Sequence, residues 1–243
     1  MKRLLIVVLL CMAPLVLGAA VRVPIRELSF GGLHWRLKSS LTLTSPGPNY
    51  YRDKEDAVWV DEQGLHLTIQ KIDSIWWATE IFTRERVGYG TYTFTVETPS
   101  RSYEPQVVAG FYTWDTDSAE FNREIDIEFA AWGEPTGTKF QYVVQPYTQE
   151  DRIHVFDPDL QGDRTTHRIV WTKQGITFSS YHGQVDPDDP ASEAMLIERW
   201  TYPDSPSEGK VRFRINLWLY QGSMPTKPVD LLITAFSFEK GKV

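Results

Sequence analysis

The segment Glu124-Ile125-Asp126-Ile127-Glu128-Phe129 carries the residue types and the spacing best suited to chemistry. On a β-strand, residues i, i+2 and i+4 share one face. Glu124, Asp126 and Glu128 therefore point one way, while Ile125, Ile127 and Phe129 point the other way, into a core. Three like charges in a row repel each other and cost stability unless something uses them. A solvated acidic face, a carboxylate metal site and acid/base catalysis all fit the pattern. Acid/base work explains it best, because a solvated face ordinarily mixes Lys, Thr and Ser with Glu. In retaining glycoside hydrolysis one carboxylate attacks and another donates a proton, with the two groups about 5–5.5 Å apart. A third carboxyl between them helps to hold their pKa values apart. Cα atoms at i and i+4 of a flat strand lie about 13 Å apart, so this chemistry demands a sheet curved toward the site.

The rest of the chain is patterned to build such a sheet. Residues 91–97 and 212–220 alternate polar and apolar strictly, and residues 65–69 and 175–179 do so more weakly. A period of two reads as half-buried antiparallel strands. Turn-like clusters such as Pro46-Gly47-Pro48 and Gln161-Gly162-Asp163 punctuate them. Residues 195–200 fit either one helical turn or a strand. With no long amphipathic helix, no repeat and no linker, the pattern predicts one all-β sandwich or barrel.

Composition narrows the function classes. The 243 residues carry a formal charge of −7, which argues against a nucleic-acid partner. Lys2 and Arg3, an apolar run over residues 4–17, and small Gly18 and Ala20 form the pattern of a secretory signal peptide. Cleavage after Ala20 leaves residues 21–243 as a single domain. It removes two cations, taking the charge to −9, and it removes the only cysteine, Cys11. A secreted or periplasmic monomer without disulfides, and without a membrane anchor after cleavage, is expected. Residues 183–193, centred on Asp186-Pro187-Asp188-Asp189-Pro190, read as a surface loop whose carboxylates would also suit a structural calcium ion. No other cofactor is required.

The same residues carry a family resemblance. Glu124-Ile125-Asp126-Ile127-Glu128 resembles the active-site signature of glycoside hydrolase family 16. In order along the chain, Thr79-Glu80 with residues 87–92, Ala109 to Trp114, Phe140-Gln141-Tyr142, residues 167–171 with 176–183, and Asn216-Leu217-Trp218 resemble other segments of that family. The resemblance implies a concanavalin A-like β-jelly-roll with a concave sheet forming an open cleft. It implies Glu124 as nucleophile, Asp126 as the tuning residue and Glu128 as general acid/base. The substrate implied is a β-linked polysaccharide, and a β-glucan is expected. No residue is inserted between Asp126 and Glu128, in which the chain is similar to the lichenan- and xyloglucan-active branches.

Departures stand beside these matches. Lichenan-active members place a Trp two residues before the nucleophile and an Asp directly before it. Here Asn122 and Arg123 occupy those positions, so a stacking platform is missing and a cation is expected near the site. The strand after the signature often carries Gln-x-Asn, and this chain has Gln141-Tyr142-Val143.

Further residues are candidates for holding sugar. Trp114, Trp132 and Trp218 offer indole faces for pyranose rings. Trp218 shares a strand face with Asn216 and Arg214, whereas Trp132 reaches the acidic face only if its strand continues. Glu80, by resemblance, contacts sugar hydroxyls. Gln141 and Gln145 share one strand face and can hydrogen-bond hydroxyls. Trp35, Trp59 and Trp171 are expected in packing roles. A carbohydrate-binding domain without turnover and a transglycosylase are the competing functions.

Overall fold

A computed structural model describes residues 25–97, 103–135 and 137–241. The signal-peptide segment, residues 1–20, lies outside the described residues. Strand accounts for 54% of the chain and helix for 7%, so the all-β expectation holds.

One sheet takes, in order, β1 (Glu27–Phe30), β2 (Leu33–Leu37), β7 (Ile75–Thr83), β16 (Arg212–Leu219), β9 (Val107–Trp114), β10 (Ile125–Ala130), β11 (Lys139–Val144) and β12 (Ile153–Phe156). Every pairing in it is antiparallel. The second sheet takes β5 (Val58–Val60), β6 (Leu65–Ile72), β17 (Val229–Lys240), β8 (Gly90–Glu97), β13 (Arg164–Thr172), β14 (Gly175–His182) and β15 (Leu196–Tyr202), again antiparallel. The segment left open between turn and strand is therefore strand, since residues 196–202 pair with β14. A hairpin of β3 (Ser40–Thr44) and β4 (Asn49–Tyr51) attaches to β7 by parallel pairing, and the β6–β7 hairpin ties the two sheets together.

The core lies between the sheets because alternate residues of each strand face inward. Phe111, Ile127, Phe129 and Ile215 from the first sheet meet Tyr92, Phe94, Ile169 and Phe178 from the second, all at most 1% exposed. Phe94 stacks on Phe111 across the interface, with centroids 4.1 Å apart. Such a pair adds about 1 kcal/mol beyond its area burial. Trp35 and Trp171 are fully buried, as expected, whereas Trp59 stacks on His66 nearer the surface.

One polar group is sealed in this core. His167 on β13 is fully buried and hydrogen-bonded to the Ser180 and Thr165 hydroxyls at 2.7 and 2.8 Å. Tyr142 donates to the same Ser180 oxygen at 2.7 Å. Burial pushes the imidazole pKa down to about 3. Between pH 6.5 and 3 the unfolded chain therefore binds a proton that the folded chain refuses, and stability falls as pH falls. Urea unfolding at pH 7 and pH 4 should show a stability loss roughly 3 kcal/mol smaller in His167→Gln than in wild type. An equal loss in the two proteins would mean that His167 is not the residue responsible.

Candidate active site

The pleat sends Glu124, Asp126 and Glu128 to the outer face of the first sheet, as expected, and registers them against particular partners. Glu128 lies between Gln141 on β11 and Gly110 on β9, and Gly110 in turn opposes Asn216 on β16, which opposes Glu80 on β7. One step along, Asp126 lies between Val143 and Tyr112, and Tyr112 opposes Arg214. The register of β10 runs without a bulge on either side. Gly110 keeps the floor open, because a Cβ there would sit 2.6 Å from Asn216 Oδ1. Glu124 stands one residue ahead of β10. Its backbone is held by Gln145 N–H donating to Glu124 O at 3.0 Å and by the Thr113 hydroxyl donating to Arg123 O at 2.7 Å.

Two cavities open on this face. The larger, about 560 Å³, is lined by Gln141, Gln145, Trp132, Tyr147, Ile153 and Val155 on the β11–β12 side. The second, about 340 Å³, is lined by Lys38, Glu80, Tyr112, Trp114, Arg214, Asn216 and Trp218 on the other side. Glu128 borders both, whereas Glu124 and Asp126 border only the second.

Burial sets the electrostatics. It lifts Glu124 to about 7, with the Glu128 charge adding to the rise, while a hydrogen bond with Asp126 and the charge of Arg214 pull the other way. It lifts Glu128 to about 7 as well, against a 2.5 Å hydrogen bond donated by Gln141 Nε2. Asp126 is 3% exposed and is pushed well above the usual carboxylate range, first by burial and then by the charges of Glu124 and Glu128. The site thus favours the protonated form of Asp126. That form can donate to Glu124, which favours ionisation of Glu124. The protons on this pair leave in steps that belong to the pair jointly.

The other expected site residues reach the cleft by different routes. Glu80 is 1% exposed, and both its oxygens are engaged, by Lys38 at 2.8 Å and by Arg214 at 2.6 Å. It organises the wall of the second cavity through these ion pairs. Trp114 lies under the Arg214 guanidinium, 4.4 Å from its ring centroid. Trp218 both lines the second cavity and packs, at 9% exposed. Asn216 donates to the Tyr112 hydroxyl at 3.3 Å and its Oδ1 has no partner among the described residues. Gln141 accepts from Trp132 Nε1 at 3.2 Å while donating to Glu128.

Two expectations need correction. β10 stops at Ala130, so Trp132 does not continue the acidic face. Instead it adopts φ 52° in a left-handed turn, completed by Gly133 at φ 85°. The turn swings its ring into the larger cavity against Tyr220 and Trp218, at 5.3 and 6.0 Å. Arg123 brings no cation to the carboxylates. It is 10% exposed and turned away onto Asp115 and Asp117, at 2.8 and 3.1 Å. The cation that acts on Glu124 is Arg214.

Lys38 and Tyr112 are cleft residues that motif reading overlooked, and Arg214, placed on the Asn216–Trp218 face, was given no role there. Arg214 shares the Asn216–Trp218 face and Tyr112 the Trp114 face, so the period-two signal was present for both. In the acidic loop, the side chains serve turns and a surface pair. Asp186 accepts from Asp188 N, Asp189 accepts from Ala191 N, and Asp188 pairs with Arg168 at 2.7 Å. No group of three or more His, Cys, Asp or Glu positioned to hold a metal ion occurs among the described residues.

A two-sheet sandwich with one large curved sheet matches the β-glucanase jelly-roll fold. The family model of glycosyl hydrolases family 16 matches residues 48–218, and the chain belongs to that family. No curated protein matches the chain in sequence. Among solved structures it is similar to the Bacillus licheniformis β-glucanase at 18% identity, over 90% of this chain and 96% of that one, with a TM-score of 0.63. A pseudo β-1,3-glucanase and immunostimulatory antigen of Mycobacterium tuberculosis aligns at 19% identity, over 82% and 88% of the two chains, with a TM-score of 0.57. A β-1,3-1,4-glucanase (lichenase) from a mouse hindgut metagenome aligns at 18% identity, over 82% and 88%, with a TM-score of 0.55. The family match ends at residue 218, yet β17 beyond it pairs with both β6 and β8 in the second sheet.

Proposed function

We propose that this protein is an exported, retaining endo-hydrolase of a β-linked polysaccharide, with a β-glucan as substrate. The observation that carries the reading is the bordering of the cavities. Glu128 stands where they meet, and Glu124 faces only the second one. That arrangement suits a sugar ring in the second cavity, with C1 toward Glu124, and a leaving chain in the larger cavity across Glu128. Glu128 gives its proton to the glycosidic oxygen as the C1–O bond breaks, and a Glu124 oxygen bonds to C1. Glu128, now ionised, takes a proton from water. The water oxygen then bonds to C1 and releases Glu124. In its protonated form Asp126 donates to ionised Glu124, which favours Glu124 as leaving group. Gln141 orients the Glu128 carboxyl, and Trp132 orients Gln141. Export is supported by the residue pattern at 1–20, which ends in a cleavage-type site.

The test is incubation with a panel of β-glucans, xyloglucan and β-galactans. Reducing ends should appear with at least one β-glucan, and proton NMR of the nascent product should show the β-anomer first. A first-formed α-anomer would rule out retention. Release no greater than that of Glu124→Gln would rule out hydrolysis of that panel. The mycobacterial pseudo-glucanase shares this fold, which keeps binding without turnover as the second reading. Binding of a β-glucan equally by wild type and Glu124→Gln, with no cleavage, would select it.

A further inference from the structure

One flank of the cleft is cationic in a protein whose formal charge is −7. It lies on the outer face of the first sheet beside Trp114. Three carboxylates serve it. Glu27 pairs with Arg36 and Arg84, Glu80 with Lys38 and Arg214, and Glu85 with His34. Arg86 and Arg212 are left with no carboxylate in ion-pair range among the described residues. Their guanidinium groups donate only to backbone carbonyls, Arg86 to Lys210 O and Arg212 to Thr83 O and Arg84 O. Carbonyls orient these groups without neutralising them.

Arg214 extends this charge into the second cavity. Its guanidinium is fixed between two rings, 4.4 Å from the Trp114 centroid and 5.2 Å from that of Phe82. Nη1 pairs with Glu80, which is its only side-chain hydrogen bond to described residues, and Nε is buried without an acceptor. Arg212 lies two residues back on the same face of β16, in register with Trp114. Burial and then the charges of Arg86, Arg36 and Arg214 lower the Arg212 pKa, with the Glu85 charge opposing them, and a bound anion would relieve the remaining crowding.

Guanidinium groups also donate to the hydroxyls of a neutral sugar, but fixed cations that no carboxylate neutralises add charge attraction for a carboxylate or sulfate. We propose that this flank binds an anionic substituent, carboxylate or sulfate, on the sugar held in the second cavity, through Arg214 and Arg212 with Arg86 adding charge. This rests on the hydrolase reading above and narrows its substrate to an acidic β-linked polysaccharide.

The experiment reads binding to the full Glu124→Gln protein, so that turnover does not interfere. Affinity electrophoresis is run with unmodified, carboxymethylated and sulfated β-glucan, and with carboxymethylated dextran, at about 0.05 and 0.5 M NaCl. Carboxymethylated or sulfated β-glucan should bind about tenfold more tightly than the unmodified polymer at low salt, with the ratio shrinking toward one at high salt. Whichever polyanion binds more tightly identifies the substituent. Arg86→Gln, at an exposed site, and Arg212→Gln should each lower that ratio at least about threefold. Equal affinity for the three β-glucans overturns the inference, and so does a preference that survives in the double variant. Equal affinity for carboxymethylated dextran shows a general polyanion effect and overturns it too. Each of these leaves β-glucan hydrolysis standing. No binding to any β-glucan, together with no cleavage by wild type, overturns both readings.

Discussion

On the proposed mechanism, Glu124→Gln should abolish polysaccharide cleavage, with a loss of at least about 10³-fold, and at the same time make the protein more stable above neutral pH. The loss would follow from removing the carboxylate that the proposed mechanism bonds to C1, a step that neither water nor the amide replaces. The stability gain follows from the raised pKa. Burial lifts the folded-state value of Glu124 to about 7 from an ordinary value of 4.5. Below pH 4.5 the carboxyl is neutral in both states and contributes nothing. As pH rises from 4.5 through 7, the unfolded chain releases a proton that the folded chain retains, so stability is lost. The amide never ionises and escapes this loss. Chemical denaturation at pH 8 should therefore show the variant more stable on the order of 1–3 kcal/mol, and at pH 4 the two proteins should coincide. A variant that is inactive but no more stable at pH 8 would mean that Glu124 is not strained by its site. A variant that is more stable but fully active would remove it from catalysis. Stability held back at a catalytic group is the ordinary trade-off of an active site.

Glu128→Gln separates the two halves of the reaction. On polysaccharide the loss should be about 10²–10⁴-fold, because the leaving sugar oxygen no longer receives a proton. An aryl glycoside with a good leaving group does not need that proton, so its first step should proceed. The second step still lacks a base, and a glycosyl-enzyme should accumulate with a burst of the aryl alcohol. Intact-protein mass spectrometry should show one added glycosyl unit, and digestion should place it on Glu124. The pH profile supplies a second readout. On the proposed mechanism, kcat/KM requires Glu124 ionised and Glu128 protonated, so it falls at both low and high pH. Both groups titrate near 7, so the profile should be a bell centred close to neutrality. With the aryl substrate, the variant should lose the alkaline limb and keep the acid limb. An equal loss on both substrates, with no adduct, would assign Glu128 a structural role.

The catalytic face was legible because a strand pleat has period two, whatever the strand pairs with. Alternation alone put Glu124, Asp126 and Glu128 on one side, and Asn216 and Trp218 on one side of β16. The need for a concave sheet also came from local geometry, as the distance two carboxyls on one strand must close. Trp132 was harder, because its position depends on where β10 ends. That end is set by a left-handed turn at Trp132 and Gly133, which the apolar pattern does not announce. Arg123 was misplaced for a related reason. Its φ of 48° turns the side chain off the strand face and onto Asp115 and Asp117.

The amino-acid sequence by itself determined the all-β architecture, the acidic face with its three carboxyls and the shared face of Asn216 and Trp218. Each of these is written in neighbours two residues apart. The tertiary structure alone decided how those carboxyls are charged and what surrounds them. Glu80 meets Lys38 from 42 residues away and Arg214 from 134 residues away. Gln141 reaches Glu128, and Gly110 opens the floor, only because β11 and β9 pair with β10 in one register. Burial, which raises all three carboxyls, is a property of the closed sandwich. Strand pairing and desolvation are long-range quantities, and no local pattern of residues encodes them.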